Sequence, residues 1–176
     1  TGSGGNIFNG LTTLKNSGTS AFRLAGANSD IFNNNVSISN VSAAGNLQLS
    51  YGATTYFNGN IEVSSTSSTI SFSGSGDGSS VLDSGKTITI GSAGVAGTLL
   101  LRNFTQLSNT AQSLSLSGTL NLINSTFIGA FTCSASGVLL STCNFYGTSN
   151  FTKTGTTSNY SAGGNHFFES ATINNN

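Results

Sequence analysis

Apolar and polar residues alternate along this chain in short runs, and the runs recur. Asn60-Ile61-Glu62-Val63 and Thr87-Ile88-Thr89-Ile90 change side at every residue, the period of a strand with one buried face. No stretch carries the 3.6-residue period of an amphipathic helix, and Ala, Leu, Glu and Lys never cluster as a helix would require. The runs are organised around one motif, Asn6-Ile7-Phe8-Asn9-Gly10. Versions of it return as Asp30-Ile31-Phe32-Asn33-Asn34, Thr55-Tyr56-Phe57-Asn58-Gly59, Ser125-Thr126-Phe127-Ile128-Gly129, Cys143-Asn144-Phe145-Tyr146-Gly147 and Asn165-His166-Phe167.

With Phe8, Phe32, Phe57, Leu82, Phe104, Phe127, Phe145 and Phe167 as the repeated core position, the intervals are 24, 25, 25, 22, 23, 18 and 22 residues. A steady return of this length is the mark of a repeat architecture. The pattern predicts an all-β chain, a parallel β-helix (β-solenoid) of about seven coils of roughly 23 residues, with those eight side chains stacked as a core ladder. Residues 99–122 hold three apolar runs and can be divided in more than one way, which makes Phe104 the least secure rung.

Positions after the core residue support the stacking. Four residues on lie Thr12, Val36, Ile61, Phe131, Ser149 and Ala171; six on lie Leu14, Ile38, Val63, Cys133, Phe151 and Ile173. Between them lie Thr13, Ser37, Glu62, Thr132, Asn150 and Thr172, all polar, so even offsets share a buried side. A further strand is expected around Phe22 and Leu24, Leu47 and Leu49, Ile70 and Phe72, Leu99 and Leu101, and Val138 and Leu140. Turns are expected at Ser17-Gly18, Ala44-Gly45, Ser73-Gly74-Ser75-Gly76, residues 94–97, Ser136-Gly137 and Gly163-Gly164, where Gly and Asn accept positive φ. Asn9-Gly10 and Asn58-Gly59 also suit hairpins, so a meander or sandwich is the alternative architecture.

A longer period overlies the short one. Gly4-Gly5-Asn6-Ile7-Phe8 returns 159 residues later as Gly163-Gly164-Asn165-His166-Phe167. Residues 1–159 therefore read as one solenoid module and 160–176 as the start of the next. The chain opens in mid-pattern, as an excerpt of something longer would.

Composition narrows the function classes. Only 6% of the 176 residues are charged, five basic against five acidic, with 23 Gly and no Pro, Met or Trp. There is no basic patch to displace counterions from nucleic acid or to hold an anionic membrane. Hydrophobic residues reach 36%, 12 of them Phe, which argues for a packed chain rather than a disordered polar one. No run approaches the roughly 18 apolar residues of a membrane span.

Candidate chemistry is sparse. A polysaccharide lyase on this fold needs carboxylates and a base on one face; Asp77, Asp83, Lys86 and Glu62 are the nearest set. Ser75-Gly76-Asp77-Gly78 echoes a calcium-binding Gly-rich turn but occurs once. His166 is the single His, and its counterparts Ile7, Ile31, Tyr56 and Thr126 are not catalytic types. Cys133 and Cys143 are either buried small side chains or one disulfide within a coil. Thr87-Ile88-Thr89 suggests an ice-binding Thr row, which Ser37-Ile38-Ser39 and Glu62-Val63-Ser64 do not continue. Asn35, Asn103, Asn124 and Asn150 begin glycosylation sequons, a frequent accident in so Ser/Thr/Asn-rich a chain. Tyr51, Tyr146 and Tyr160 are candidate sugar platforms.

The segment Gly4-Gly5-Asn6-Ile7-Phe8-Asn9-Gly10 with Thr13, the run Gly85-Lys86-Thr87-Ile88-Thr89-Ile90, and residues 98–106 and 110–114 together resemble the long repeats of giant surface proteins of the Bacteroidota. The resemblance covers essentially the whole chain and specifies a repeat type, not a ligand. Phe168-Glu169 departs from it where Asn-Gly would stand. It implies a secreted, extracellular adhesin or fibre, of the kind tied to gliding or to grappling-hook prey capture. The expected role is structural and non-catalytic, without cofactor or metal. The expected partners are neighbouring repeats and other copies in a fibre. A glycan-active or glycan-binding β-helix is the alternative.

Overall fold

The computed structural model describes residues 2–74, 77–158 and 160–176. Among the described residues it is all-β and without helix, and every strand pair is parallel. Parallel pairing between successive coils rules out the hairpins that Asn9-Gly10 and Asn58-Gly59 allowed, because a hairpin joins antiparallel strands. The fold is a β-solenoid of about seven turns. The first six turns each contribute strands to three faces; among the described residues the seventh meets the third face through a single Ser141–Gly163 bridge.

The first face stacks Ile7–Phe8, Asp30–Phe32, Thr55–Phe57, Ser80–Leu82, Phe104–Gln106, Thr126–Phe127, Asn144–Phe145 and His166–Phe167 in one eight-stranded sheet. The second face consists of two four-stranded sheets. One holds Thr12–Asn16, Val36–Asn40, Ile61–Ser65 and Ile88–Val95; the other holds Gln112–Ser115, Phe131–Ala135, Ser149–Lys153 and Ala171–Asn175. The third face stacks Phe22–Arg23, Leu47–Gln48, Thr69–Ser71, Thr98–Arg102, Thr119–Ile123 and Gly137–Ser141.

Register follows the alternation. Leu14 lies opposite Ile38, Ile38 opposite Val63, Cys133 opposite Phe151, and Phe151 opposite Ile173. The ambiguous region resolves into three strands of different faces, 98–102, 104–106 and 112–115, followed by Thr119–Ile123 of the next turn.

One rung is corrected. Leu82 pairs with Gln106, and Phe104 pairs with Ser80, two positions earlier. The first-face intervals thus run 24, 25, 25, 24, 21, 18 and 22 through Phe8, Phe32, Phe57, Leu82, Gln106, Phe127, Phe145 and Phe167. In the fifth coil the aromatic and polar positions are exchanged. In the other interior coils the earlier position carries Asp30, Thr55, Ser80, Ser125 or Cys143, each buried. Their side chains tie down nearby backbone: Asp30 accepts from the Ala25 N–H at 2.8 Å, and Thr55 donates to Leu49 O at 2.7 Å.

Phe104 remains part of the core because the aromatic spine bends to include it. Phe8, Phe32 and Phe57 stack nearly parallel, at 4.5 and 5.3 Å between centroids. Leu82 and Gln106 interrupt that column, so the contact passes sideways through Phe72 at 5.6 Å and Phe104 at 5.5 Å. It returns to Phe127 at 6.0 Å, then continues to Phe145 and Phe167. Such offset and edge-on pairs contribute about 0.5–1.5 kcal/mol each beyond the area they bury.

Some corners match the expectation: Gly94, Gly163 and Gly164 have positive φ. Ala25, Asn103, Asn124 and Thr142, in the corners that lead to the first face, take it as well, and Gly10 and Gly59 do not. At Gly59 and Gly147 the Gly of the repeated motif serves contact instead, whereas Gly10 in the first coil has nothing within 4 Å of a Cβ. A Cβ on Gly59 would lie 2.3 Å from Asn34 C of the coil below, and one on Gly147 would lie 2.6 Å from Ala130 N. The turn expected over 94–97 is partly strand: Ile88–Val95 runs on with a register shift between Ile90 and Val95.

Backbone pairing on the second face breaks between the fourth and fifth coils, and a side chain fills the gap. The Gln112 amide accepts from the buried Ile88 N–H at 2.8 Å and donates to Lys86 O at 3.1 Å. An amide side chain thus copies the donor and acceptor of a strand residue. Gln112→Ala should lower unfolding stability by about 2–4 kcal/mol, since two backbone groups lose their partners. A urea midpoint equal to wild type would show that water replaces the amide without loss.

Candidate functional surface

The residues that could carry acid–base chemistry are distributed, not gathered. Glu62 points outward from the second face beside Ser37, whose hydroxyl donates to its carboxylate at 3.3 Å. Asp83 lies at the corner after Leu82 and accepts from the Ser84 N–H at 2.7 Å. Lys86 closes that same turn through its backbone N–H to Asp83 O at 3.3 Å. His166 is exposed on the last first-face strand. Among the described residues no three His, Cys, Asp or Glu side chains come together as a metal site. Of the proposed calcium turn, Ser75 and Gly76 lie outside the described residues; Asp77 is exposed.

The outward second-face row is Thr13, Ser37, Glu62 and Thr89. A carboxylate interrupts it, so it is not the flat Thr lattice of an ice-binding face.

Asp30 is the one carboxylate sealed inside. It is fully buried and accepts from the Asn6 backbone N–H and the Asn6 side-chain amide, each at 2.8 Å, as well as from Ala25. Three N–H groups hold the carboxyl group, and none of it reaches solvent, which is a structural role.

Both cysteines are free and buried. Cys133 packs in the second-face core, where burial pushes its pKa up to about 12. Cys143 occupies the Ser125 level and donates from Sγ to Ser141 O at 3.3 Å. Burial raises its pKa too, partly opposed by backbone hydrogen bonds with Ser125 and Ser141. The thiolate is the reactive form, so a disulfide reagent at pH 8 should leave both thiols untouched in the folded chain and titrate both in guanidinium.

The same shifts fix a sign. The folded pKa of Cys133 lies above the unfolded one, so its contribution is complete below about pH 8.5. It falls away between about pH 9 and 12, by up to ~1.4 kcal/mol per pH unit, as the unfolded thiol ionises. Over that window Cys133→Ala should show a shallower decline than wild type; parallel curves would refute the burial effect.

The tyrosines are less available than the sequence suggested. The Arg23 guanidinium lies 4.4 Å over the Tyr51 ring, and a Cβ on Gly74 would come within 2.5 Å of that ring. Tyr146 stacks on Phe168 at 4.4 Å and 2°. Tyr160, the most exposed of the three at 88%, stands on the loop after the second-face strand Ser149–Lys153.

What sequence reasoning missed is a stripe on the outside of the first face. One position before the core residue lie Ile7, Ile31, Tyr56 and Val81, then Thr105, Thr126, Asn144 and His166. One position after it lie Asn9, Asn33, Asn58 and Asp83, then Leu107, Ile128, Tyr146 and Phe168. The apolar character changes rows midway. Ile7 (61% exposed) and Tyr56 (41%) represent the first half; Leu107 (51%), Ile128 (36%), Tyr146 (46%) and Phe168 (56%) form the second. Beside the first half runs an amide ladder, Asn58 to Asn33 at 2.9 Å and Asn33 to Asn9 at 2.7 Å. The stripe becomes visible in the sequence only when Gln106 replaces Phe104 as the fifth rung, since Phe104 would put Thr105 in place of Leu107.

No helix among the described residues is long and apolar enough to cross a membrane. Comparison with models of protein families, with curated proteins and with solved structures returned no match.

Proposed function

We propose that this chain is a stiff structural section of a secreted, filamentous cell-surface adhesin or fibre. In this reading it carries attachment to cells or surfaces, as in gliding or prey capture, and catalyses nothing itself. The observation that supports it most is the return of one backbone state at a distance of 159 residues. Gly4 and Gly5 have φ of 87° and 82°; Gly163 and Gly164 have 82° and 70°. Both Gly pairs precede an Asn-x-Phe strand of the first face. The eighth coil therefore begins as the first does, which suits modules repeated in tandem on one continuous sheet. A near-neutral surface with scattered carboxylates suits a spacer better than a reaction site.

A direct test is labelling of intact producing cells with an antibody raised against the 176-residue chain. Surface filaments should be decorated, and monovalent fragments of the antibody should reduce attachment. Label that appears only after lysis would sink the reading.

A second reading, glycan binding, draws on a shallow groove across the first four coils. Its lining includes Leu11, Asn35, Asn60, Glu62, Thr87 and Thr89, an uncharged amide and hydroxyl surface with one carboxylate. Binding on a glycan array that Asn60→Ala and Glu62→Gln abolish would favour it over a plain spacer.

A further inference from the structure

We infer that the second face carries a hinge between the fourth and fifth coils, a seam at which the solenoid opens while its other two faces stay joined. The hinge is a property of the fold and does not depend on the fibre reading. Elsewhere on this face successive strands pair along their length: Thr12–Asn16 with Val36–Asn40, that strand with Ile61–Ser65, and Ser149–Lys153 with Ala171–Asn175. Ile88–Val95 and Gln112–Ser115 are instead the edges of two separate sheets, and among the described residues no strand pairing joins them. Coils are held together by the terms at their shared boundary, and this boundary lacks one of its three ladders.

The other two ladders are intact, which makes the seam a hinge and not a break. Ser80–Leu82 pairs residue for residue with Phe104–Gln106 on the first face, and Thr98–Arg102 with Thr119–Ile123 on the third. Rotation about those ladders parts the second face while the coils stay stacked. The chain also has slack at this place. Val95 lies five residues after Ile90, whereas its partner Ser65 lies two after Val63. Residues 91–94 therefore bulge from the strand, as extra residues do when they find no partner. Ser92 and Ala93 are exposed, and Gly94 has a φ of 70° with open space around it.

The closed state is held at its two ends. At the start of the seam the Gln112 amide joins the Ile88 N–H to Lys86 O. At its far end the Ser117 hydroxyl donates to Val95 O at 3.2 Å, beside the Gly118 N–H at 2.8 Å. Between these points lie Ile88, Leu114 and Leu116, all buried, and the burial of their side chains favours closure. One amide latch and three side chains hold less than a backbone ladder does. The seam should thus open ahead of the other interior boundaries of this face, as a partial unfolding event.

Amide hydrogen exchange of the 176-residue chain in rising urea tests this. Four amides point to the next coil from the same strand position: Val36 to Asn60 O at 3.0 Å, Ile61 to Thr87 O at 2.9 Å, Phe131 to Thr148 O at 2.9 Å, and Ile88 to the Gln112 side chain. Ile88 should exchange about tenfold or more faster than Ile61 and Phe131, with a weaker dependence on urea, because a partial opening exposes less surface. A thiol at the seam gives a second readout. Leu114 lies opposite the native Cys133 of the next coil. In Leu114→Cys a disulfide reagent should label position 114 ahead of Cys133, and adding Gln112→Ala should speed the first more than the second. Equal rates and urea slopes at Ile88 and Ile61 would overturn the hinge. So would labelling of position 114 no faster than of Cys133, or an equal response of the two to Gln112→Ala, since the solenoid would then open only as a whole.

Discussion

Phe127→Ala should destabilise the chain by about 4 kcal/mol, within the range for deleting a buried aromatic side chain. Phe127 is fully buried and is a junction of the spine. Its ring meets Phe104 at 6.0 Å, Phe131 at 4.5 Å and Phe145 at 5.5 Å. The coil between Phe127 and Phe145 is the shortest of the seven, so little loose chain is available to collapse into the void. The loss should also be local. Because each coil touches mainly its neighbours, hydrogen exchange should quicken most in the strands around Thr126–Phe127 and Asn144–Phe145 and least at Asp30–Phe32. A urea midpoint within error of wild type would mean that the spine is dispensable.

Gly118→Ala should cost about 3 kcal/mol, the upper part of the usual range for overpacking. A Cβ there would stand 2.0 Å from Gly97 O and 2.5 Å from Ala96 O. The conflict is with backbone, which no rotamer change relieves. Moving the two coils apart would stretch the hydrogen bonds on either side, Gly118 N–H to Val95 O at 2.8 Å and Thr119 N–H to Gly97 O at 2.9 Å. The effect comes from contact and not from φ, so a larger residue should be worse in proportion to its bulk. Thermal unfolding of Gly118→Ala beside Gly85→Ala separates the two causes. Gly85 has positive φ and open space around it, and its substitution should cost only about 1 kcal/mol. Equal losses at both positions would contradict the close-approach account.

The repeat period, the parallel stacking and the inward and outward rows were legible in the sequence because a solenoid writes the same constraint on every coil. Alternation of Thr13, Ser37 and Glu62 with Leu14, Ile38 and Val63 states the register directly. Reading failed where one coil satisfies the constraint differently. In the fifth coil the aromatic sits at the Ser80 level and Gln106 at the Leu82 level, so a search for Phe lands two residues early. The bridging role of Gln112 was equally hidden, since its value depends on a gap in backbone pairing that composition does not record. The corner glycines were recognised, and Gly94, Gly163 and Gly164 do take positive φ, whereas Gly59 and Gly147 answer to close contact. Asn103, Asn124 and Thr142 also take positive φ, in the corner before the first face. One side-chain bond supports it, Asn124 Nδ2 to Asn103 Oδ1 at 2.8 Å.

The hydrogen bonds between coils have a mechanical consequence. They run along the solenoid axis, as in Val36 N–H to Asn60 O at 3.0 Å and Phe131 N–H to Thr148 O at 2.9 Å. Tension applied at the two ends loads the boundary of the outermost coil first, and the covalent chain crosses each boundary once. The rod should thus unwind coil by coil. Each released coil of 18 to 25 residues would extend to roughly 60–90 Å at ~3.3–3.6 Å per residue, in exchange for ~4.8 Å of rod. In force spectroscopy such a chain is a brake that lengthens under load and rewinds when the load is removed, and the bend of the aromatic spine around Leu82 and Gln106 is where its steps should change in height.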